Sequence, residues 1–349
     1  MNKLNITLGN ISVREAIQLL DKNAEKFLCI VDESGMLLGL FTQGDMRRYL
    51  LNNDDMSVPV TKAMNKSPVI FPSRQKAIEC AESGKYLIVY PIIDEHGHLT
   101  DYFISGESPF RKQDKPLKDI PLVMMAGGKG TRLHPYTKIL PKALIPIGDF
   151  TISERIIRQF TEWGCKEVYL ILNHKGGMIR AYYEELDKNY NIHYIDEKKF
   201  MGTGGGLSLL KGVIDSTFIL SNCDILVNAD YDCILKTHFA QRNVITFVAA
   251  SKNMVIPYGI LKTSPEGQVM QIKEKPELSF LANTGLYVIE PQVVNELEGS
   301  EFIHITDIAQ RYMDRGEKIG VFPVSDRSWL DMGQFNEMES MLKELGVEK

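Results

Sequence analysis

Cysteine is scarce in this sequence: five in 349 residues, Cys29, Cys80, Cys165, Cys223 and Cys233, with no CxxC pair among them. That excludes a paired-cysteine zinc framework and a secreted disulfide scaffold, and makes a reducing, cytoplasmic setting the expectation. Long apolar runs are missing as well. The amino-terminal stretch MNKLNITLGNISVREAIQLL has no apolar signal core, and no window approaches the roughly 18 consecutive apolar residues of a membrane span. Nor does charge of one sign dominate. Forty basic against 45 acidic residues leave a net charge of -5, too weak a field to hold nucleic acid or an anionic membrane surface. Neither partner is expected, and any phosphate chemistry has to come from local basic residues.

What is present is a globular composition, 44% hydrophobic and 24% charged, in a chain long enough for two domains at roughly 150 residues each. The break falls in GESPFRKQDKPLKDI, which carries Pro109 and Pro116 and no apolar period. It divides the chain into a domain over 1–110, a linker over 111–120 and a domain over 121–349. The first holds two copies of one layout: a helix, a short apolar run, a turn, another apolar run and a second helix. In the first copy Ser12 and Glu15 form a candidate capping box, and FLCIVDESGMLLGLFT reads as two strands about a turn. In the second, YLIVYPIIDEHGHLTDYFI repeats that layout, with His96 and His98 as turn residues.

Beyond the linker, the runs LVMMA, EVYLIL and FILSNCD alternate with helices near 152–163 and 178–189, the pattern of a largely parallel sheet with crossover helices. Thr151 and Glu154 fit a capping box for the first of these helices, and Gly164 fits its end. The segments YGILKTSPEGQVMQIKEKP and ANTGLYVIEP read as further strands over the open edge of the sheet, and FNEMESMLKELG as a closing amphipathic helix. The expected fold class is α/β: a Rossmann-like, mostly parallel mixed sheet preceded by a smaller α+β domain.

Chemistry concentrates in MMAGGKGTRLHPYTKILPKALIPIG. An apolar strand empties into Gly127-Gly128-Lys129-Gly130, where missing side chains let backbone amides approach phosphate oxygens, while Arg132 adds a planar guanidinium and Lys142 a point charge. Taken alone, such a loop is also what a tight turn with a solvated basic residue looks like. The run Met201-Gly202-Thr203-Gly204-Gly205-Gly206-Leu207 is by itself equally a glycine hinge. Asp224 follows a strand, at the carboxyl end where open α/β sheets place ligands.

The full string resembles the signature of the sugar nucleotidyltransferases, and the likeness extends over about residues 121–340. The resemblance implies that Arg132 and Lys142 bind and activate a nucleoside triphosphate, with Ala126, Gly127, Gly128, Gly130 and Thr131 along its phosphates and Gly202, Thr203 and Gly204 beside the base. It implies Mg2+ held by Asp224 and by Asp331 of Trp329-Leu330-Asp331-Met332-Gly333. Glu274 would hold sugar hydroxyls and Lys275 the sugar phosphate, with Tyr258, Gly259, Asn283 and Thr284 in further sugar-contacting segments. Two departures stand out: Cys223 replaces the usual glycine before the aspartate, and Gln334 replaces a threonine.

In such chemistry an anionic sugar phosphate attacks an anionic triphosphate, so catalysis is alignment and charge neutralisation, with no covalent nucleophile. A catalytically dead nucleotide sensor would lose its charged residues first, and here all five catalytic candidates persist in order. A cytidylyl- or uridylyltransferase acting on another phosphate substrate stays open. The Gly-Thr-Gly-Gly loop, together with the front domain, most resembles guanylyltransferases acting on glucosamine, heptose or mannose 1-phosphates for glycan or nonulosonate synthesis, so GTP is the favoured donor.

The front pair resembles a tandem cystathionine-β-synthase (CBS) module. Gly39-Leu40-Phe41-Thr42-Gln43-Gly44-Asp45-Met46 matches its pattern, which implies phosphate and ribose contacts of an adenine nucleotide at Thr42 and Asp45. The second copy, Tyr102 to Ser108, lacks the aspartate, so one nucleotide site is expected rather than two. A module that regulates and a module that only dimerises the enzyme both remain open, and a homo-oligomer is expected.

Overall fold

A computed structural model describes residues 5–23, 25–82, 89–104, 115–299, 301–333, 338, 341–343 and 345–346. Ser105 to Ser108 of the second copy, the linker up to residue 114, Gln334 and most of the closing helix lie outside the described residues. The chain forms two compact units, Met1–Phe110 with Ser251–Ala282, and Arg111–Ala250 with Asn283–Lys349. A segment that the sequence pattern assigns to the second domain therefore groups with the first.

The first unit begins with β1 (Ile6–Leu8), α1 (Val13–Lys22), β2 (Phe27–Val31), β3 (Leu37–Thr42), α2 (Gln43–Asn52), α3 (Arg74–Glu82), β4 (Val89–Ile93) and β5 (Leu99–Ile104). The capping box forms: Ser12 N donates to the Glu15 carboxylate at 2.8 Å, and Glu15 N donates to the Ser12 hydroxyl at 3.2 Å. Helical spacing then puts Val13, Ala16, Ile17 and Leu20 on one buried face, packed with Leu28, Ile30, Phe41, Met46 and Tyr49. Asp32 closes the β2–β3 turn by accepting from Ser34 N and Met36 N, both at 2.9 Å. Asp94 does the same for His96 N and His98 N at 2.9 and 2.8 Å. Each antiparallel pair carries a bulge at the corresponding place, Ile30/Val31 and Ile92/Ile93. The strand, turn, strand repeat is thus a repeat of structure.

The rest of the chain runs through β6 (Leu122–Met125), α4 (Tyr136–Ile139), β7 (Pro146–Ile147), β8 (Phe150–Thr151), α5 (Ile152–Glu162), β9 (Glu167–Leu172), α6 (Gly176–Glu185), β10 (Asn191–Asp196), α7 (Gly202–Gly205) and β11 (Phe218–Asn222). There follow β12 (Ile225–Val227), α8 (Tyr231–Gln241), β13 (Ile245–Val255), β14 (Ile260–Thr263), β15 (Val269–Lys273), β16 (Glu277–Ile289), α9 (Pro291–Glu296), α10 (Ile305–Asp314), β17 (Ile319–Val324) and β18 (Trp329–Asp331). At the start of α5 only half of the expected capping box forms. Glu154 N donates to the Thr151 hydroxyl at 3.2 Å, but the Glu154 side chain turns to Arg158 and Tyr182 at 2.8 and 2.6 Å.

The second unit's sheet has the order β10-β9-β6-β11-β16-β13-β17. The first four strands are mutually parallel, so their carboxyl ends share one edge, while β16 runs antiparallel to β11. ANTGLYVIEP thus lies inside the sheet and not over an open edge: Thr284 to Ile289 are all buried. An apolar run marks a strand but is silent on which neighbour it pairs with. Val123, Ile171, Leu207, Phe218, Tyr287, Ile289, Ile305 and Ile308 build the core beneath that edge. Among the described residues no helix is long and apolar enough to cross a membrane.

Candidate active site

The four parallel strands deliver the candidate ligand loops to one edge. After β6, Gly127 is packed so closely that a Cβ there would sit 2.8 Å from Asn173 Cβ and 3.2 Å from Glu197 Oε2. Gly130 has φ +63°, and its Cβ would meet Thr137 Cγ2 at 2.8 Å and Lys142 Cβ at 3.2 Å. The Thr137 hydroxyl closes the loop by donating to the Gly130 carbonyl at 2.7 Å. Only glycine permits both the left-handed backbone and the approach. Ala126 and Gly127 are buried, whereas Gly128, Lys129, Thr131, Arg132 and His134 are exposed.

Lys142 forms an ion pair with Asp224, which follows β11; their side chains are only 11% and 15% exposed. Two charges so far out of water are costly unless paired, and pairing brings the late part of the signature loop to the end of the central strand. Antiparallel pairing of β12 with β18 sets Ile225 opposite Asp331, and Met332 N donates to the Asp224 carbonyl at 2.9 Å. Asp331 thus lies opposite Ile225, one position along the ladder from Asp224. Among the described residues no group of three or more His, Cys, Asp or Glu side chains is placed to hold a metal ion. Carboxylate oxygens are of the kind Mg2+ takes alongside phosphate oxygens and water, so the donor type of Asp224 and Asp331 suits that ion. Burial pushes the Cys223 thiol up to about 12, with Asp224 adding to the shift; it stays a neutral, unreactive neighbour.

The Gly202–Gly205 run is a packed helical turn, not a hinge. A Cβ on Gly202 would lie 2.5 Å from the Ile303 carbonyl, and one on Gly205 2.4 Å from that of Glu301. Gly204 N and Gly205 N donate to the Ile303 carbonyl at 3.0 and 3.1 Å. The Thr203 hydroxyl accepts from Ile305 N at 3.3 Å and sits 3.2 Å from His304 Nδ1, bracing the start of α10. Glu197, directly after β10, stands between the two glycine segments, since a Cβ on Gly206 would also meet its Oε1 at 3.3 Å. It is 4% exposed, and one oxygen accepts from Met201 N at 2.9 Å. Burial raises its pKa from the ordinary carboxylate value, against the lowering effect of bonds from Met201 and Asn173.

In the first unit, Tyr258, Gly259, Glu274 and Lys275 gather at the base of the β14–β15 ribbon. A Cβ on Gly259 would lie 2.7 Å from Glu274 Oε2, and Lys275 takes the left-handed region at φ +40°. An Arg14–Glu277 ion pair ties this segment to α1. In the second unit Asn283 is exposed, but Thr284 is 2% exposed and its hydroxyl donates to the Val248 carbonyl at 2.7 Å. At the front, Thr42 and Asp45 cap α2 reciprocally: Thr42 N donates to Asp45 at 2.9 Å, and Arg48 pairs with the same carboxylate.

A sequence profile of the nucleotidyl transferase family matches residues 122–346, most of the chain. The chain belongs to the nucleotidyl transferase family. A CBS domain profile matches residues 7–52, which cover the first of the two front copies. The UTP–glucose-1-phosphate uridylyltransferase of Synechocystis sp. is 26% identical over 61% of this chain and 60% of its own length. A bifunctional protein GlmU of Methanococcus maripaludis is 31% identical over 60% and 51%, and the mannose-1-phosphate guanylyltransferase of Mycobacterium tuberculosis 27% over 60% and 60%. The likeness thus spans about half to three fifths of these relatives' length. The crystal structure of HddC from Yersinia pseudotuberculosis superposes with a TM-score of 0.52 at 20% identity, over 65% of this chain and 99% of that one; this likeness concerns the fold.

Within the nucleotidyl transferase domain, sequence reasoning missed Glu197. Its signal was slight: one acidic residue shortly before a glycine run.

Proposed function

We propose that this nucleotidyl transferase moves a guanylyl group from GTP to a sugar 1-phosphate of glucosamine, heptose or mannose type, releasing pyrophosphate. The observation that carries nucleotidyl transfer is the Lys142–Asp224 pair at the shared strand edge, with the Gly127–Gly130 loop beside it and Asp331 on the adjoining ladder. The uridylyl- and guanylyltransferase names of the relatives support the reaction class.

The chain's own residues supply alignment and charge. The Gly127–Gly130 amides and the exposed Arg132 receive the phosphates, and Lys142 stabilises charge on the departing pyrophosphate. Mg2+ at Asp224 and Asp331, when bound, offsets the triphosphate's negative charge. Glu274 and Lys275 take the sugar hydroxyls and the sugar phosphate. Glu197 favours guanine, because a buried carboxylate matches the paired N1–H and N2–H donors of that base. At the front, an adenine nucleotide at Thr42 and Asp45 and assembly into a homo-oligomer complete the proposal.

The test is a panel of four nucleoside triphosphates against several sugar 1-phosphates, followed by pyrophosphate release. GTP with one of these sugars should turn over fastest. Preference for CTP or UTP with a non-sugar phosphate would overturn the assignment.

A further inference from the structure

Between β9 and α6, the turn Asn173-His174-Lys175 touches each ligand loop in turn. Asn173 Nδ2 donates to the Glu197 carbonyl at 2.7 Å, on the base side. His174 N donates to the Gly127 carbonyl at 3.4 Å, on the glycine loop. Lys175, held at φ +56°, a conformation uncommon for a side chain of its kind, sends its ammonium to the carbonyls of Thr137, Lys138 and Ile139 at 3.0, 2.7 and 2.9 Å. All three of its donors are used.

Burial does little to hold the segment that Lys175 grips. Of the four residues of α4 only Thr137 is buried, and Tyr136 and Ile139 are 53% and 75% exposed. Yet that segment joins Arg132 to Lys142, the two cations of the candidate triphosphate site. We infer that Lys175 is a positioning residue, whose ammonium sets the path from Pro135 to Leu140 and with it the placement of Arg132 and Lys142. The inference rests on the nucleotidyl-transfer reading for its catalytic consequence, but not for its structural one.

The substitution Lys175→Met keeps the stem and removes the three donors. Misplacing a group by about 1 Å costs on the order of 100-fold in rate, so kcat for pyrophosphate release should fall by about that factor while the KM for GTP moves much less. Lys175→Arg, which still presents several donors, should recover part of the loss. Hydrogen exchange on the full chain should show faster exchange confined to residues 131–142, read at amides such as Lys138 N and Leu140 N. Wild-type kcat and loop exchange in Lys175→Met would overturn the inference, as would exchange accelerated throughout the second unit. If the unaltered chain transfers no nucleotidyl group, the proposed function fails, and the exchange comparison still decides what Lys175 holds.

Discussion

Replacing Glu197 by Gln tests base selection at an atom. The carboxylate is 4% exposed and lies between the two glycine segments, with one oxygen already accepting from Met201 N at 2.9 Å. An amide keeps the shape but offers one acceptor in place of two, so its NH2 must face either the Met201 amide or a donor of guanine. One hydrogen bond to a charged group is worth about 1.5–3 kcal/mol, so kcat/KM for GTP should fall about 10- to 150-fold. Uracil alternates donor and acceptor on the same edge, which an amide can match, so UTP should lose far less. The assay compares kcat/KM for GTP and UTP with one sugar phosphate, and an unchanged ratio refutes base recognition by Glu197. Stability adds a second readout. Burial raises the pKa of Glu197, so the folded chain binds its proton more tightly than the unfolded one. Its contribution is therefore fully present below the unfolded value and is lost as pH rises through the raised folded value. Glu197→Gln should remove that decline, measured as thermal midpoints from below the ordinary carboxylate pKa upward.

Chelation of divalent metal should abolish turnover, because Asp224 and Asp331 otherwise oppose a polyphosphate; full activity in excess chelator would remove the metal from the reading. Lys142→Ala should lower kcat by the equivalent of about 2.7–4 kcal/mol, typical for one transition-state donor, with substrate saturation kinetics as the check; unchanged turnover would mean that the ion pair with Asp224 is only structural. Asp45→Ala should weaken binding of AMP, ADP or ATP by calorimetry and, by removing the N3 half of the α2 capping box, lower stability. Equal nucleotide affinity in both proteins would reduce Asp45 to a capping residue.

Much of this protein is legible locally. Ser12 and Glu15 meet across one helical turn, and Asp32 and Asp94 close their turns within four residues, so sequence spacing alone carries those bonds. The glycine runs are legible as places where backbone comes close, and the order Arg132, Lys142, Asp224, Lys275, Asp331 as a family's order of charged residues. Through-space partners are another matter. Nothing in ANTGLYVIEP says that it pairs antiparallel with β11 in the sheet interior, nor does the ribbon at 260–273 reveal that it groups with the amino-terminal unit. The resemblance puts Thr203 beside the base, and its hydroxyl also braces α10; nothing in the sequence singles out Glu197 or Lys175, which β9 and β10 carry to the edge where the loops meet. Hydrogen bonds within a turn depend on spacings along the chain, which a sequence records. Those that assemble the site depend on strand order and on which carboxyl ends share an edge, and these are set only when the whole sheet closes around its core.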